Sequence, residues 1–257
     1  TDFAGLDPLD TTLSDQADPK LVQLGAAIPS LDLLPVRALT RTMAAINRRS
    51  PGAALAYDMF PGAESLRREI ARRSLEWGGR LTPDDLVITT GCTEAITIAL
   101  DATCRPGDTV LVEAPTYFGL ARTLRDRGLR ALPVPVDATD GLSVERVEQA
   151  IRRTRVAAAV VIPNFNNPVG SLMPDPARRA LVDLLVSRGI AVIEDDIYGD
   201  LHHEGTRPRC LKAFDRDGGV ILCGSFSKTL APGYRVGYIA GGRWHSRVLA
   251  LKRAQSL

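Results

Sequence analysis

One lysine near the end of the sequence lies among hydroxyl-bearing residues and is followed by an arginine. Lys228 lies between Ser227 and Thr229, and Arg235 follows seven positions later, after a Pro-Gly pair. A lysine amine placed at the end of a strand can form an imine with an aldehyde cofactor, and arginine suits a phosphate group. Ser225 and Ser227 add hydroxyl donors. A solvated loop lysine gives the same pattern, so this segment alone leaves both interpretations open.

A second polar segment, Gly91-Cys92-Thr93, lies between an apolar run and a helical pattern. The first turn of a helix has free backbone N–H groups and a favourable dipole for a phosphate, and Thr93 adds a hydroxyl. A plain helix N-cap would have the same composition, and this simpler interpretation is favoured when the segment is taken alone.

Two further polar segments also follow apolar runs. Residues 164–170 contain three asparagines, a proline and a glycine, which is as typical of an ordinary Asx turn as of a binding loop. Residues 194–196 are three consecutive acids, and at least one of them needs a cation or a hydrogen-bond donor if the strand is buried. An acid there can keep a pyridine nitrogen protonated, and the phenol of Tyr198 can reach a ring hydroxyl. A solvent-exposed carboxylate is the simpler interpretation of Asp196.

The elements that must position these segments alternate between strands and helices. Short apolar runs predict strands at 86–89, 109–113, 130–136, 157–162, 190–194, 220–223 and 236–240. Helical periodicity predicts helices at 36–49, 63–77, 95–104 and 176–187, one ending near 127, one capped by Ser143 and one at 243–256. This alternation predicts an α/β fold with a mainly parallel sheet sandwiched by helices, whose ligands lie beyond the carboxyl ends of the strands.

The overall composition is that of an ordinary globular protein. The 257 residues are 45% hydrophobic, and 32 basic against 30 acidic side chains leave a net charge of +2. This balance gives no electrostatic reason to expect nucleic acid or an anionic membrane as a partner. Four cysteines without a CxxC pair predict reduced, buried thiols in a cytoplasmic protein, and three histidines make no metal set. Residues 1–20 are predicted to be an acidic arm or the end of a linker, 21–60 an N-terminal segment, and 61–257 the main domain.

Taken together, the four segments resemble those of the class I/II aminotransferases of the fold type I pyridoxal phosphate (PLP) family. The resemblance covers roughly residues 24–257. The spacings agree, with 28 positions from Asn167 to Asp195, 33 from Asp195 to Lys228, and 7 from Lys228 to Arg235. Each piece alone is weak, whereas the combination is specific. The resemblance implies a seven-stranded-type sheet, followed by a C-terminal small domain that we expect to be absent from this sequence.

The resemblance also implies a role for each matching residue. Lys228 would form the internal aldimine with PLP and move the proton, Asp195 would face the pyridine nitrogen, and Asn167 and Tyr198 the ring hydroxyl. Tyr117 would stack on the ring. The phosphate would be held by Cys92, Thr93, Ser225, Ser227 and Arg235, with Tyr57 supplied by the second subunit of a homodimer. Gly25 and Asn167 would lie near the carboxylate of a substrate.

Within that family, residues 163–173, 198–202 and 225–233 look most like the effector domain of MocR-type regulators of the GntR family. Such a domain senses an amino acid or amine and controls a winged-helix DNA-binding module, which this sequence does not contain. A free-standing aminotransferase is the alternative and shares every residue named above. A dimerisation scaffold without PLP is a third interpretation, and the intact set of site residues counts against it.

Overall fold

A computed structural model of the protein describes residues 20–22, 27–52, 55–56, 58 and 60–255. The strands are β1 (Leu86–Thr89), β2 (Thr109–Ala114), β3 (Arg130–Asp137), β4 (Gly141–Leu142), β5 (Ala158–Val161), β6 (Ala191–Asp195), β7 (Val220–Ser225) and β8 (Gly237–Ala240). The α-helices are α1 (Val36–Arg49), α2 (Glu64–Ser74), α3 (Cys92–Thr103), α4 (Phe118–Asp126), α5 (Val144–Arg153), α6 (Asp175–Ser187) and α7 (His245–Gln255).

The strands form one sheet in the order β1-β8-β7-β6-β5-β2-β3-β4. Its middle, from β7 to β3, is parallel, whereas β8 is antiparallel to both of its neighbours and β4 is antiparallel to β3. Every residue of β5, β6 and β7 is buried, which explains why these strands are continuous apolar runs without polar alternation. The predicted α/β fold with a mainly parallel sheet is confirmed.

Helices cover both faces of the sheet, so the core has two main layers. One layer joins α3, α4 and α7 to the sheet, and the other joins α5 and α6 to the opposite face. Successive residues of a strand alternate between them, since Val110 and Val112 pack in the first layer and Leu111 in the second. The carboxyl ends of β5, β6 and β7 therefore lie between two packed layers and are held in place.

The boundaries of two predicted helices differ from the structure. Helix α3 begins at Cys92 rather than at residue 95, because the polar residues after Gly91 already form its first turn. Helix α2 ends at Ser74, before the predicted end at residue 77, and continues as a 3-10 turn in which Leu75 is exposed. Arg67 of α2 is buried and donates to the carbonyl oxygens of Gly62 and Pro83.

The described residues before Phe60 contribute little to this body. Among those described there, none is buried, and α1 exposes Val36, Met43 and Ile46. Most of the acidic arm lies outside the described residues, and the predicted division at residue 60 stays a prediction. None of the helices in the described ranges combines the length and apolar character needed to span a bilayer.

Candidate functional site

The four polar segments meet in one cavity of about 400 Å³ at the carboxyl ends of the parallel strands. Most of the residues singled out from the sequence line it: Cys92, Thr93, Tyr117, Asn167, Asp195, Tyr198, Ser227, Lys228 and Arg235. Ser225 is buried beside them, and its Oγ accepts from the backbone N–H of Ser227 at 2.9 Å. Gly25 and Tyr57 lie outside the described residues, so their predicted roles stay predictions.

Asp195, the last residue of β6, is buried at the wall of the cavity. Its Oδ1 accepts a hydrogen bond from the Cys92 thiol at 3.1 Å. Burial raises the pKa of Asp195 to about 6, and the thiol contact partly opposes that shift. Burial also raises the pKa of the Cys92 thiol, so the thiol remains a protonated donor. A carboxyl with this pKa is mostly ionised at neutral pH, and a cationic partner would stabilise its charge.

Lys228 reaches into the same cavity from the loop after β7. Its Nζ donates to the carbonyl oxygen of Ala27 at 2.6 Å. Burial lowers the pKa of Lys228, Asp195 opposes the shift, and the nearby Arg235 guanidinium adds to it. A lowered pKa increases the fraction of neutral amine, which is the nucleophilic form that attacks an aldehyde.

Asn167 and Tyr198 come from different loops and touch each other. Asn167 Nδ2 donates to the Tyr198 hydroxyl at 3.0 Å. Burial raises the pKa of Tyr198 to about 12, so the phenol keeps its proton and can donate to a ligand. Tyr117, at the N-terminus of α4, lines the cavity beside Phe118, with 5.1 Å between the ring centroids. The pair of donors and the aromatic ring suit a flat polar ring as ligand.

An anion site lies at the N-terminus of α3. The Arg235 guanidinium approaches the carbonyl oxygen of Thr90 at 3.3 Å and the Ser227 hydroxyl at 3.4 Å. Gly91 has a φ of +87°, and a Cβ there would lie 2.5 Å from the guanidinium. Arg235 itself has a left-handed φ of +51°. A strained arginine beside a helix N-terminus, with a glycine making room for it, suits a phosphate group.

Each of the three consecutive acids has partners, as burial requires. Glu194 accepts from the backbone N–H groups of Leu211 and Lys212, and Asp195 accepts from Cys92. Asp196 is also buried, contrary to its simpler interpretation as a solvated acid, because it forms an ion pair with Arg207. The expectation that an acid there needs a cation or donor is confirmed for all three.

Sequence reasoning missed one buried group that holds the asparagine-rich loop. Glu113, at the end of β2, accepts from Asn166 Nδ2 at 2.8 Å and from the Ile162 N–H at 3.0 Å. Burial raises its pKa to about 8. Asn164 donates to Asp196 at 2.7 Å. An acid that ends an apolar run is a signal that could have identified Glu113, because such a side chain needs nearby donors.

Comparison with known proteins identifies the family of this site. The model of the family "aminotransferase class I and II" matches residues 19–256, and the chain belongs to that family. The sequence is 39% identical over 244 residues to the uncharacterized HTH-type transcriptional regulator YjiR of Escherichia coli K12, covering 95% of this chain and 52% of the relative. It is 34% identical over 223 residues to 2-aminoadipate transaminase of Thermus thermophilus, covering 86% of this chain and 55% of the relative.

A solved structure supports the same assignment. The fold matches that of LysN, the alpha-aminoadipate aminotransferase of Thermus thermophilus, with a TM-score of 0.82 and 33% identity, covering 90% of this chain and 59% of LysN. That enzyme was crystallised with N-(5'-phosphopyridoxyl)-L-leucine. The family is PLP-dependent, and the predicted resemblance is confirmed. The chain spans about half the length of the curated relatives it matches.

The residues present fit PLP. One cavity offers an amine for the aldehyde, a carboxyl for the ring nitrogen, and an amide and a phenol for the ring hydroxyl. At the N-terminus of α3, Arg235 and the free N–H groups offer a place for the phosphate, and Gly91 leaves the space that the guanidinium occupies.

Proposed function

We propose that this chain is the PLP-binding effector domain of a transcriptional regulator that senses an amino acid or amine. The observation that carries the proposal is the convergence of Lys228, Asp195, Asn167, Tyr198 and Arg235 on one cavity. Resemblance to the HTH-type regulator YjiR over 95% of this chain supports the regulatory half of the proposal. Contact with DNA would be made by a winged-helix module, of which the residues described here form no part.

PLP, when bound, supplies the electron-withdrawing ring that stabilises negative charge on the carbon of a bound amine. The chain's own residues anchor and tune it. Lys228 provides the covalent attachment point and can carry the proton, while Arg235 and the N-terminus of α3 hold the phosphate. Asp195 offers its carboxyl to the ring nitrogen, and Tyr198 with Asn167 binds the ring hydroxyl. Tyr117 provides an aromatic face for the ring.

The remaining parts of the proposal concern assembly and location. We expect a cytoplasmic homodimer in which Tyr57 of one subunit approaches the phosphate bound by the other. Gly25, together with Asn167, would lie near the carboxylate of the sensed amino acid. These expectations follow from the family resemblance and from the reduced, buried cysteines.

An aminotransferase that completes both half-reactions is the second candidate, favoured by the 34% identity to 2-aminoadipate transaminase. The two functions predict different behaviour of the protein expressed from its complete gene. With PLP bound, a panel of amino acids is added with and without a 2-oxo acid, and both product formation and binding to promoter DNA are followed. A sensor changes its cofactor absorbance and its affinity for DNA without sustained product.

Product formed over many turnovers, with DNA binding unaffected by the amino acid, would assign the enzyme instead. A protein whose absorbance shows no bound PLP would contradict both functions. The matched variant is Lys228→Ala, which removes the amine but leaves Arg235 and the N-terminus of α3 to bind the phosphate. It should hold PLP more weakly and without the covalent absorbance band.

A further inference from the structure

A partly buried ionic network lies behind the wall of the PLP cavity. The Arg207 guanidinium binds two carboxylates, with NH2 2.5 Å from Asp196 Oδ2 and Nε donating to Asp200 Oδ1. Asp200 Oδ2 in turn accepts from Arg73 of α2 at 2.9 Å. The side chains of Arg207 and Asp196 are 7% and 0% exposed. Asp196 and Asp200 lie on either side of Tyr198 in the sequence. One guanidinium therefore links the two ends of the segment that carries this tyrosine.

The network continues toward the loop that carries Asn167. Asp196 Oδ1 accepts from Asn164 Nδ2 at 2.7 Å, and Asn164 Oδ1 accepts from an Arg178 N–H at 2.8 Å. Arg178 is almost fully buried and also donates to the carbonyl oxygen of Met173 at 2.6 Å. Both partners of the Asn167–Tyr198 hydrogen bond are therefore carried by loops fixed to the same carboxylate.

Close packing leaves Arg207 little freedom. A Cβ at Gly199 would lie 2.4 Å from Asp196 Oδ1 and 2.9 Å from the Arg207 NH2 atom, so a side chain there would have to displace one of these two groups. The ring of Trp77 lies on another side, 6.0 Å from the guanidinium carbon. Arg207, Asp196 and Asp200 do not line the PLP cavity among the described residues. Any effect of Arg207 on a ligand must therefore pass through other residues.

We propose that Arg207 is a positioning residue that sets Tyr198 against Asn167 by bridging Asp196 and Asp200. The proposal rests on the proposed function, because the paired phenol and amide matter when PLP is their ligand. A planar guanidinium presents N–H groups in two directions at once, whereas a lysine ammonium is a compact point charge that cannot reproduce this fork. Arg207→Lys should therefore keep a buried positive charge while losing the bridge.

Hydrogen exchange in the PLP-free, full-length protein tests the structural half of the proposal. The reporters are the amides of Leu201 and Gly170, which donate to the carbonyl oxygens of Tyr198 and Asn166. Arg207→Lys should speed their exchange roughly tenfold, because the loops open more often once the bridge is lost. Asp200→Asn, a milder substitution at a partly exposed position, should also speed the exchange of the Leu201 amide.

Arg209→Lys is the matched control for this experiment. Arg209 lies two residues away and its side chain is 55% exposed, with an NH1 atom 3.6 Å from Asp175. The control should exchange like wild type. Exchange unchanged in Arg207→Lys and Asp200→Asn would overturn the proposal, even if the cofactor is bound normally.

A double-mutant cycle on PLP affinity tests whether Arg207 acts through Tyr198. Arg207→Lys should weaken PLP binding about tenfold in the wild-type background and less than about threefold in Tyr198→Phe, since residues of one network are not additive. If Arg207→Lys weakens PLP binding by the same factor in both backgrounds, Arg207 does not act through Tyr198. That result would overturn the positioning role but not the proposed function. A wild-type protein that fails to bind PLP at all would overturn the proposed function and, with it, this proposal.

Discussion

At the scale of single residues, burial shifts the pKa of Asp195, Lys228 and Tyr198 in the site. Asp195 is the clearest case, because burial raises its pKa from 3.8 to about 6. A carboxyl with a raised pKa binds its proton more tightly in the folded state, so its contribution to stability is full below pH 4 and is lost as the pH rises through about 6. The site is therefore costly to fold at neutral pH before a cationic partner is bound.

The first prediction concerns Asp195→Asn in the PLP-free protein. At pH 8 the variant should be more stable than wild type by up to about 3 kcal/mol, the free energy equivalent of the pKa shift. Near pH 4 the two should be equally stable, because the wild-type carboxyl is then protonated. Denaturant unfolding between pH 4 and pH 8 measures the difference.

Asp183→Asn, at an exposed position on α6, is the control for the pH series. Because water surrounds this carboxylate in the folded and unfolded protein, the variant should differ from wild type by the same small amount at every pH. A constant difference for Asp195→Asn as well would contradict the account of a carboxyl destabilised by burial.

Residue types and spacing were enough to find the groups that face the cavity, since amines, carboxylates and amides are visible in a sequence. Residue types and spacing did not reveal Arg207 or Glu113, which do not line the cavity but contact residues of its loops. Three consecutive acids required partners, but the partner of Asp196 comes from eleven positions further along an irregular segment. The fold of that segment brings Arg207 beside Asp196, and no local sequence pattern predicts this contact.

At the scale of elements, the sequence predicted most strands and helices, because short apolar runs bounded by turn residues suit buried strands and longer segments with helical periodicity suit helices. It did not show that β8 lies between β1 and β7 and is antiparallel to both. Strand order depends on which surfaces pack, and the spacing of residues within one strand does not encode it. The sequence also predicted that α3 begins at residue 95, three residues after its observed start at Cys92, although this end of the helix forms the anion site.

The second prediction concerns the junction between β1 and α3. Gly91→Ala places a Cβ 2.5 Å from the Arg235 guanidinium and should displace it, weakening PLP binding about tenfold or more. Gly107→Ala is the matched control, because Gly107 has a similar φ of +91° but no atom within 4 Å of the added Cβ. PLP affinity, measured by cofactor absorbance, compares the two variants.

Both alanines should destabilise the fold through their positive φ, by roughly 1–3 kcal/mol each. Only Gly91→Ala should also lose affinity for PLP. If the two variants bind PLP equally, the close approach of Gly91 and Arg235 does not matter for the phosphate, and the proposed anion site is wrong.

At the scale of the whole molecule, the described residues before Phe60 present an apolar surface that the rest of the described chain leaves uncovered. Val36, Met43 and Ile46 of α1 are 48%, 42% and 40% exposed and recur at helical spacing on one side. Apolar faces of this kind are typical of surfaces that bind another chain. We expect a second copy of the protein to cover it in the homodimer.

The third prediction tests that surface. Ile46→Lys should weaken self-association of the full-length protein about tenfold or more, because a charge would be buried in the contact. Arg48→Glu, two positions along and on the opposite side of α1, is the control and should have little effect. Analytical ultracentrifugation over a range of protein concentrations measures both, and an unchanged dimer in Ile46→Lys would contradict the expected interface.

The central claim is that Lys228 is the covalent anchor of PLP, and the sequence contains only four lysines, Lys20, Lys212, Lys228 and Lys252. Borohydride reduction of the PLP-loaded protein, followed by peptide mass spectrometry, identifies the attached residue directly. We predict one phosphopyridoxyl group on the peptide that contains Lys228, and none after Lys228→Ala. A modification on another lysine, or an unmodified Lys228 in protein that holds PLP, would contradict the account.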